Sequence, residues 1–109
     1  MTSAFNVALA KIVPSLVTDK DLIASYTSDW TGRFNGKADV VVRPENAAQI
    51  TEVVLLCKKF GAAIQIQGGN TGLVGGSVPP PNSLRPICLI STSSLNSILD
   101  FDVVTGHIT

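Results

Sequence analysis

The sequence predicts an α+β fold in which N-terminal helices lead into a small βαβ unit. Three observations carry that expectation. Val40-Val41-Val42 is an unbroken β-branched run, as in a strand covered on both faces. Ile50, Val53, Val54, Cys57 and Phe60 then recur at helical spacing, and residues 63–67 follow as a second strand. That strand runs straight into a stretch where five of the nine glycines fall within nine consecutive positions, 68–76.

In chain order, residues 4–17 place Phe5, Ala8 and Ile12 near helical spacing with Leu9 beside them, and Pro14 should end or kink that helix. Asp19 or Thr18 can cap a second short helix through Leu22, Ile23 and Tyr26. Residues 29–36 mix Trp30 and Phe34 with Gly32 and Gly36, the pattern of an irregular loop with two aromatic anchors. The favoured reading is that both rings plug the core. The long helix is well signed: Asn46 with Gln49 makes a capping pair, Lys58 and Lys59 sit in the last turn, and Gly61 supplies the left-handed stop. The resulting strand–helix–strand crossover should be right-handed. After the prolines at 79–81, residues 86–90 read as a third strand buried on both faces, like 63–67. Residues 98–102 alternate apolar and acidic, as in a half-exposed strand with Asp100 and Asp102 on its solvated face. Residues 103–106 form a turn into a further strand at His107.

Composition narrows the function classes. The formal net charge is zero and 15% of residues are charged, which gives no electrostatic case for nucleic acid or an anionic membrane. No run of 18 apolar residues is present, so no membrane span is expected. The first 17 residues lack the basic and apolar regions of a secretory signal and carry no arginine for a transit peptide, which makes a cytoplasmic protein the expectation. Cys57 and Cys88 lie in apolar runs and are expected as buried, reduced thiols, and no metal is implied.

The glycine stretch carries the chemistry. Glycine can take φ > 0 and turn successive N–H groups to one side, which suits a concave site for phosphate. The glycines give no Gly-x-Gly-x-x-Gly spacing, and no lysine follows Lys59, so the Rossmann fingerprint and the P-loop are both excluded. Prolines at 79–81 prevent a following helix, so loop amides must hold any phosphate without a helix dipole.

Gln67-Gly68-Gly69-Asn70-Thr71-Gly72-Leu73-Val74-Gly75-Gly76-Ser77-Val78-Pro79 resembles the FAD diphosphate loop of the vanillyl-alcohol-oxidase, or PCMH-type, flavoproteins. Residues 29–36, 38–44 and Ser94-Leu95-Asn96 fall in the order expected of its D-lactate, D-2-hydroxyglutarate and glycolate dehydrogenase branch. The resemblance implies an N-terminal helical segment with its aromatic loop over 1–35, and over 36–109 the first part of an incomplete PCMH-type FAD-binding domain. It implies cofactor-binding positions Gly68, Gly69, Asn70, Thr71, Gly72, Leu73, Val74, Gly75, Gly76 and Ser77, with side-chain help from Asn70, Thr71 and Ser77. Arg43 could add charge or serve only structure, and the loop carrying Trp30 and Phe34 could pack beside the cofactor instead of plugging the core.

Several members of that family attach flavin through a histidine in this loop. Here Asn70 follows Gly69 and the sole histidine is His107, so non-covalent FAD is implied. The complete enzyme would oxidise a D-2-hydroxy acid by hydride transfer to flavin and pass electrons to a separate acceptor. Its catalytic residues would lie in a later cap domain, leaving this chain alone inactive and prone to self-associate. The alternative is a non-catalytic nucleotide- or anion-binding interaction module.

Overall fold

The structure, a computed structural model, describes residues 3–109; Met1 and Thr2, at the start of the predicted segment 1–35, lie outside the described residues. The elements are α1 (Ser3–Ala10), β1 (Leu16–Val17), α2 (Lys20–Ala24), β2 (Val40–Val42), α3 (Ala47–Phe60), β3 (Ala63–Gln67) and β4 (Ile87–Ser91). The four strands form one sheet in the order β1-β2-β4-β3. β4 pairs in parallel with both β2 and β3, while β1 pairs antiparallel with β2. The predicted βαβ unit therefore exists, but its two strands do not touch, because β4 enters between them.

Period-two alternation sorts the strand side chains to two faces. Val40, Val42, Cys88 and Ile90 pack with Phe5, Leu9 and Val13 from the N-terminal segment and with Val53 and Cys57 of α3. Val41 and Leu89 face the other way, onto Ile23 of α2, with Tyr26, Val17 and Ala38 around them. Phe5 and Phe60 tie α1 to α3 edge to face, with ring centroids 5.2 Å apart. Within α3 the apolar face is narrower than the spacing suggests: Val53 and Cys57 are buried, whereas Val54 turns outward.

The ends of α3 follow the predicted chemistry with one change. Asn46 Oδ1 accepts from the Gln49 amide at 2.9 Å, and Gly61 closes the helix at φ 72°. Gln49 Oε1, however, accepts from the Glu45 N–H at 2.7 Å, one residue earlier than a reciprocal capping pair requires. α2 is capped by Asp19, whose carboxylate accepts from the amides of Asp21 and Leu22.

Three predicted elements differ. α1 stops at Ala10, where the amides of Ile12 and Val13 both donate to the Leu9 carbonyl; Pro14 disfavours helix at the residue before it. Leu16 and Val17, beyond the proline expected to end or kink that helix, form a short strand that was not anticipated and pair with Val42 and Val41. Residues 98–102 form no regular strand: they meet the segment at 107–109 in an irregular antiparallel hairpin with one bridge, Phe101 to Ile108, and backbone bonds such as Asp102 N–H to the His107 carbonyl at 2.8 Å. Asp102 Oδ1 there accepts from the amides of Val104 (2.9 Å) and Thr105 (3.2 Å), so it caps the turn closed by Gly106 and does not line a strand face. Finally, β3 is an edge strand with Ile64 and Ile66 partly exposed, while β4 is buried throughout. An edge strand has no neighbour to cover its second flank, which a local apolar pattern does not reveal.

Candidate functional site

β2, β3 and β4 run in the same direction, so Arg43, the loop after Gln67 and the turn after Ser91 all gather at one end of the sheet. In open α/β sheets that carboxyl end is where ligands bind. A cleft of about 590 Å³ opens there, between the ends of β3 and β4 and the segment that follows α2. Gln67, Gly68, Gly69 and Asn70 form one wall, with Ser91 and Ser93 beside them, and Tyr26, Ser28, Asp29 and Trp30 form the other.

Gln67 organises the loop. Its register partner is Ser91, and both are buried. Its amide nitrogen donates to the Tyr26 carbonyl at 2.7 Å and to the Ser77 carbonyl at 3.0 Å, so one side chain joins the end of the loop to the post-α2 segment. Gln65 repeats the contact one step earlier by donating to the Gly76 carbonyl at 3.0 Å. The loop thus folds back along the side of β3 that bears the glutamines, opposite the one bearing Ile64 and Ile66.

Inside the loop, Ser77 Oγ donates to Asn70 Oδ1 at 2.6 Å, and Asn70 Nδ2 donates to the Ser28 carbonyl at 2.6 Å. Two side chains expected to face a phosphate are therefore occupied in holding the loop shut, and the hydroxyl proton of Ser77 is already given away. Asn70 also takes a left-handed φ of 55°, a conformation asparagine tolerates. Thr71 is exposed and forms no such side-chain bond among the described residues, while Leu73 and Val74 point to solvent.

Only Gly75 of the loop glycines has φ > 0, at 74°, and a Cβ there would lie 2.6 Å from the Phe34 ring. Around Gly72 and Gly76 a Cβ would meet nothing within 4 Å, and at Gly68 and Gly69 only loose contacts. The expectation that left-handed backbone explains the glycine run is thus correct at one position. The backbone N–H groups of Gly68, Gly69, Asn70, Thr71, Gly72, Leu73, Val74, Gly75, Gly76 and Ser77 share another property: none donates a hydrogen bond to another described residue.

The aromatic loop is the part that sequence reasoning misplaced. Trp30 is 64% exposed and Phe34 39%, so neither plugs the core. Trp30 Nε1 donates to the carbonyls of Thr71 (3.0 Å) and Gly72 (3.2 Å), and the Phe34 ring sits on Gly75. The loop is braced by Asp29, whose two carboxylate oxygens accept from Thr31 Oγ1 (2.5 Å) and the Phe34 amide (3.2 Å). Those bonds, the one from Thr31 foremost, hold the Asp29 carboxyl below the ordinary carboxylate range despite its burial. At the far end of the loop Gly36 packs so closely on Pro79 that a Cβ would fall 1.7 Å from the proline carbonyl oxygen. The prolines at 79–81 therefore seat the loop exit against the aromatic segment. Tyr26 and Ser28 were not anticipated as cleft residues; Asp29 and Trp30 belong to the loop that the alternative reading set beside the cofactor, and the mixture of aromatics and glycines at 29–36 was the signal for it.

Arg43 is half-buried and does not line the cleft, and its Nε is buried without a hydrogen-bond partner among the described residues. No lysine, arginine or histidine lines the cleft, so attraction for an anion must come from amides. His107 is exposed on the C-terminal turn. Cys57 and Cys88 are free and buried in one core cluster, where the Cys57 thiol and burial together push the Cys88 thiol well above its ordinary range. No cluster of three or more metal-ligating side chains occurs among the described residues.

A mixed sheet with helices on both faces and a glycine loop at its carboxyl end defines the class as the PCMH-type FAD-binding fold. An alkyldihydroxyacetonephosphate synthase superposes with a TM-score of 0.80 at 21% identity, over 95% of this chain and 22% of its own. p-Cresol methylhydroxylase superposes with a TM-score of 0.69 at 18% identity, over 94% and 21%. The family described as FAD binding domain matches residues 38–109, and the chain belongs to that family. In sequence it is 38% identical over 93 residues to a D-2-hydroxyglutarate dehydrogenase of Danio rerio, covering 85% of this chain and 17% of that protein. It is 34% identical over 92 residues to a putative D-lactate dehydrogenase of Schizosaccharomyces pombe, covering 84% and 17%. The chain thus spans about a sixth of the length of these relatives. Both are named as mitochondrial, as is the matching enzyme of Arabidopsis thaliana, and this overturns the expectation of a cytoplasmic protein. That expectation rested on the composition of a few N-terminal residues.

Proposed function

We propose that the amides from Gly68 to Ser77 bind the diphosphate of FAD, and that the protein carrying this chain oxidises a D-2-hydroxy acid in mitochondria. The observation that carries the first part is the set of uncommitted N–H groups. None of residues 68–77 is fully buried, so their donors are open to water or to a ligand, with no protein acceptor to displace. Here they belong to a loop braced at both ends, beside glycines whose missing side chains leave room for close approach. Membership of the FAD binding domain family and the names of the relatives support the cofactor and the substrate class.

Held by the amides of residues 68–77, flavin would supply the hydride acceptor for oxidation of the substrate. The residues of this chain bind and orient the cofactor, and the catalytic groups and the contact with a separate electron acceptor belong to other parts of the protein. Binding is non-covalent, because Asn70 occupies the loop position where a histidine would attach the flavin and His107 lies on the distant C-terminal turn. Segment 1–35 acts as a brace and 36–109 as the first part of the FAD domain. Residues 1–109 on their own leave Ile66, Phe101, Val103, Val104 and Ile108 exposed and self-associate for that reason.

The test is to purify the intact protein, record its flavin absorbance, precipitate it with acid and look for FAD in the supernatant. D-Lactate and D-2-hydroxyglutarate are then assayed with an artificial acceptor. A colourless protein that still binds ADP would point to a non-catalytic nucleotide-binding module. One that binds neither FAD nor ADP would overturn the loop assignment.

A further inference from the structure

We propose that Trp30 is a positioning residue that sets the direction in which the glycine loop presents its amides, and so determines affinity for the diphosphate. The inference rests on the reading that this loop binds a dinucleotide diphosphate.

Trp30 is 64% exposed, so core burial does not account for where it sits. What holds it is the shared hydrogen bond from Nε1 to the carbonyls of Thr71 and Gly72, at 3.0 and 3.2 Å. In a trans peptide the C=O of one residue and the N–H of the next point in opposite directions across one plane. Drawing the Thr71 and Gly72 carbonyls toward the indole therefore turns the amides of Gly72 and Leu73 away from it. Both amides are among the uncommitted donors. Neither those carbonyls nor those amides have another hydrogen-bond partner among the described residues, so the indole is what orients these two peptide planes.

The scaffold that presents Trp30 is rigid. The Asp29 amide donates to the Phe34 carbonyl at 3.1 Å, the Gly32 amide to the Asp29 carbonyl at 3.1 Å, and Ser28 Oγ to Asn35 Oδ1 at 2.6 Å. The same segment holds the loop at two further points, the Ser28 carbonyl on Asn70 and the Phe34 ring on Gly75. Those contacts fix where the loop lies. The contact from Trp30 fixes how its middle peptides are turned, and an ordered amide array binds an anion more tightly than one that must be ordered at the moment of binding.

The experiment compares wild type and Trp30→Phe in the intact protein depleted of flavin, with FAD, ADP and riboflavin titrated separately and thermal midpoints recorded. Trp30→Phe retains an aromatic ring and removes the N–H. The expected result is a roughly tenfold weaker affinity for both FAD and ADP, the scale of one shared hydrogen bond, with riboflavin unaffected and the midpoint nearly unchanged. Val53→Ala, a core variant remote from the cleft, serves as the stability control. Equal affinity of Trp30→Phe and wild type for ADP overturns the inference. A loss for FAD alone also overturns it, since that pattern means the ring stacks on flavin. So does a loss that accompanies a fall in midpoint and that Val53→Ala reproduces for an equal fall. If wild type itself binds neither FAD nor ADP, it is the diphosphate reading that fails.

Discussion

Replacing Gly75 and Gly72 by alanine separates two reasons for glycine in one loop. At Gly75 the backbone has φ 74°, and an added Cβ would stand 2.6 Å from the Phe34 ring. An L-residue in that conformation costs about 1–2 kcal/mol. Displacing the ring costs roughly 1 kcal/mol more, at the low end for overpacking because Phe34 is 39% exposed and has solvent to move into. Gly75→Ala should therefore lose about 2–3 kcal/mol of stability, a fall in thermal midpoint of about 10–20 °C for a domain of this size. At Gly72 neither cause exists: φ is not positive and a Cβ meets nothing within 4 Å. Gly72→Ala should leave the midpoint within a degree or two while weakening FAD binding, because the methyl occupies space the diphosphate must enter. Calorimetry and FAD titration on both variants, with Gly75→Ala/Phe34→Ala as a third, check the division. The double variant should recover the ring term and keep the backbone term. An unchanged midpoint in Gly75→Ala would refute the conformational argument, and wild-type FAD affinity in Gly72→Ala would refute close approach at that position.

Other substitutions probe the supports. Gln67→Leu leaves the carbonyls of Tyr26 and Ser77 without their shared donor and should cost about 2–4 kcal/mol in urea denaturation while loosening FAD. Asn46→Ala removes the cap of α3 and should cost about 1 kcal/mol, with FAD affinity unchanged. Asp29 has a folded pKa below its unfolded value, so its contribution is present above about pH 4 and is lost as pH falls through the lower folded value. The stability gap between wild type and Asp29→Asn should accordingly close between pH 7 and acid pH, as read from denaturation midpoints; a gap that widens on acidification would contradict the assigned hydrogen bonds.

Much of this architecture was legible in the residues themselves, where the deciding interactions are local. Three consecutive valines specify a strand, Asn46 and Gly61 specify the ends of α3, and Asp19 caps α2, because each acts on backbone groups within four residues. The glycine run likewise announced a backbone site with neither Rossmann nor P-loop spacing. Tertiary structure decided what pairs across distance. β4 lies between β2 and β3, paired along both edges and with helices over both faces, so its side chains are all buried, whereas β3 at the sheet edge leaves Ile64 and Ile66 partly exposed. Leu16 and Val17 become a strand only because β2 offers an edge to pair with. Trp30 and Asn70 reach partners 41 and 42 residues away, and nothing near either residue in the chain indicates that an indole N–H holds the glycine loop or that an asparagine is occupied in closing it. Such bonds depend on how separate segments are brought together in space, and local sequence patterns, which act over a few residues, carry no record of that distance.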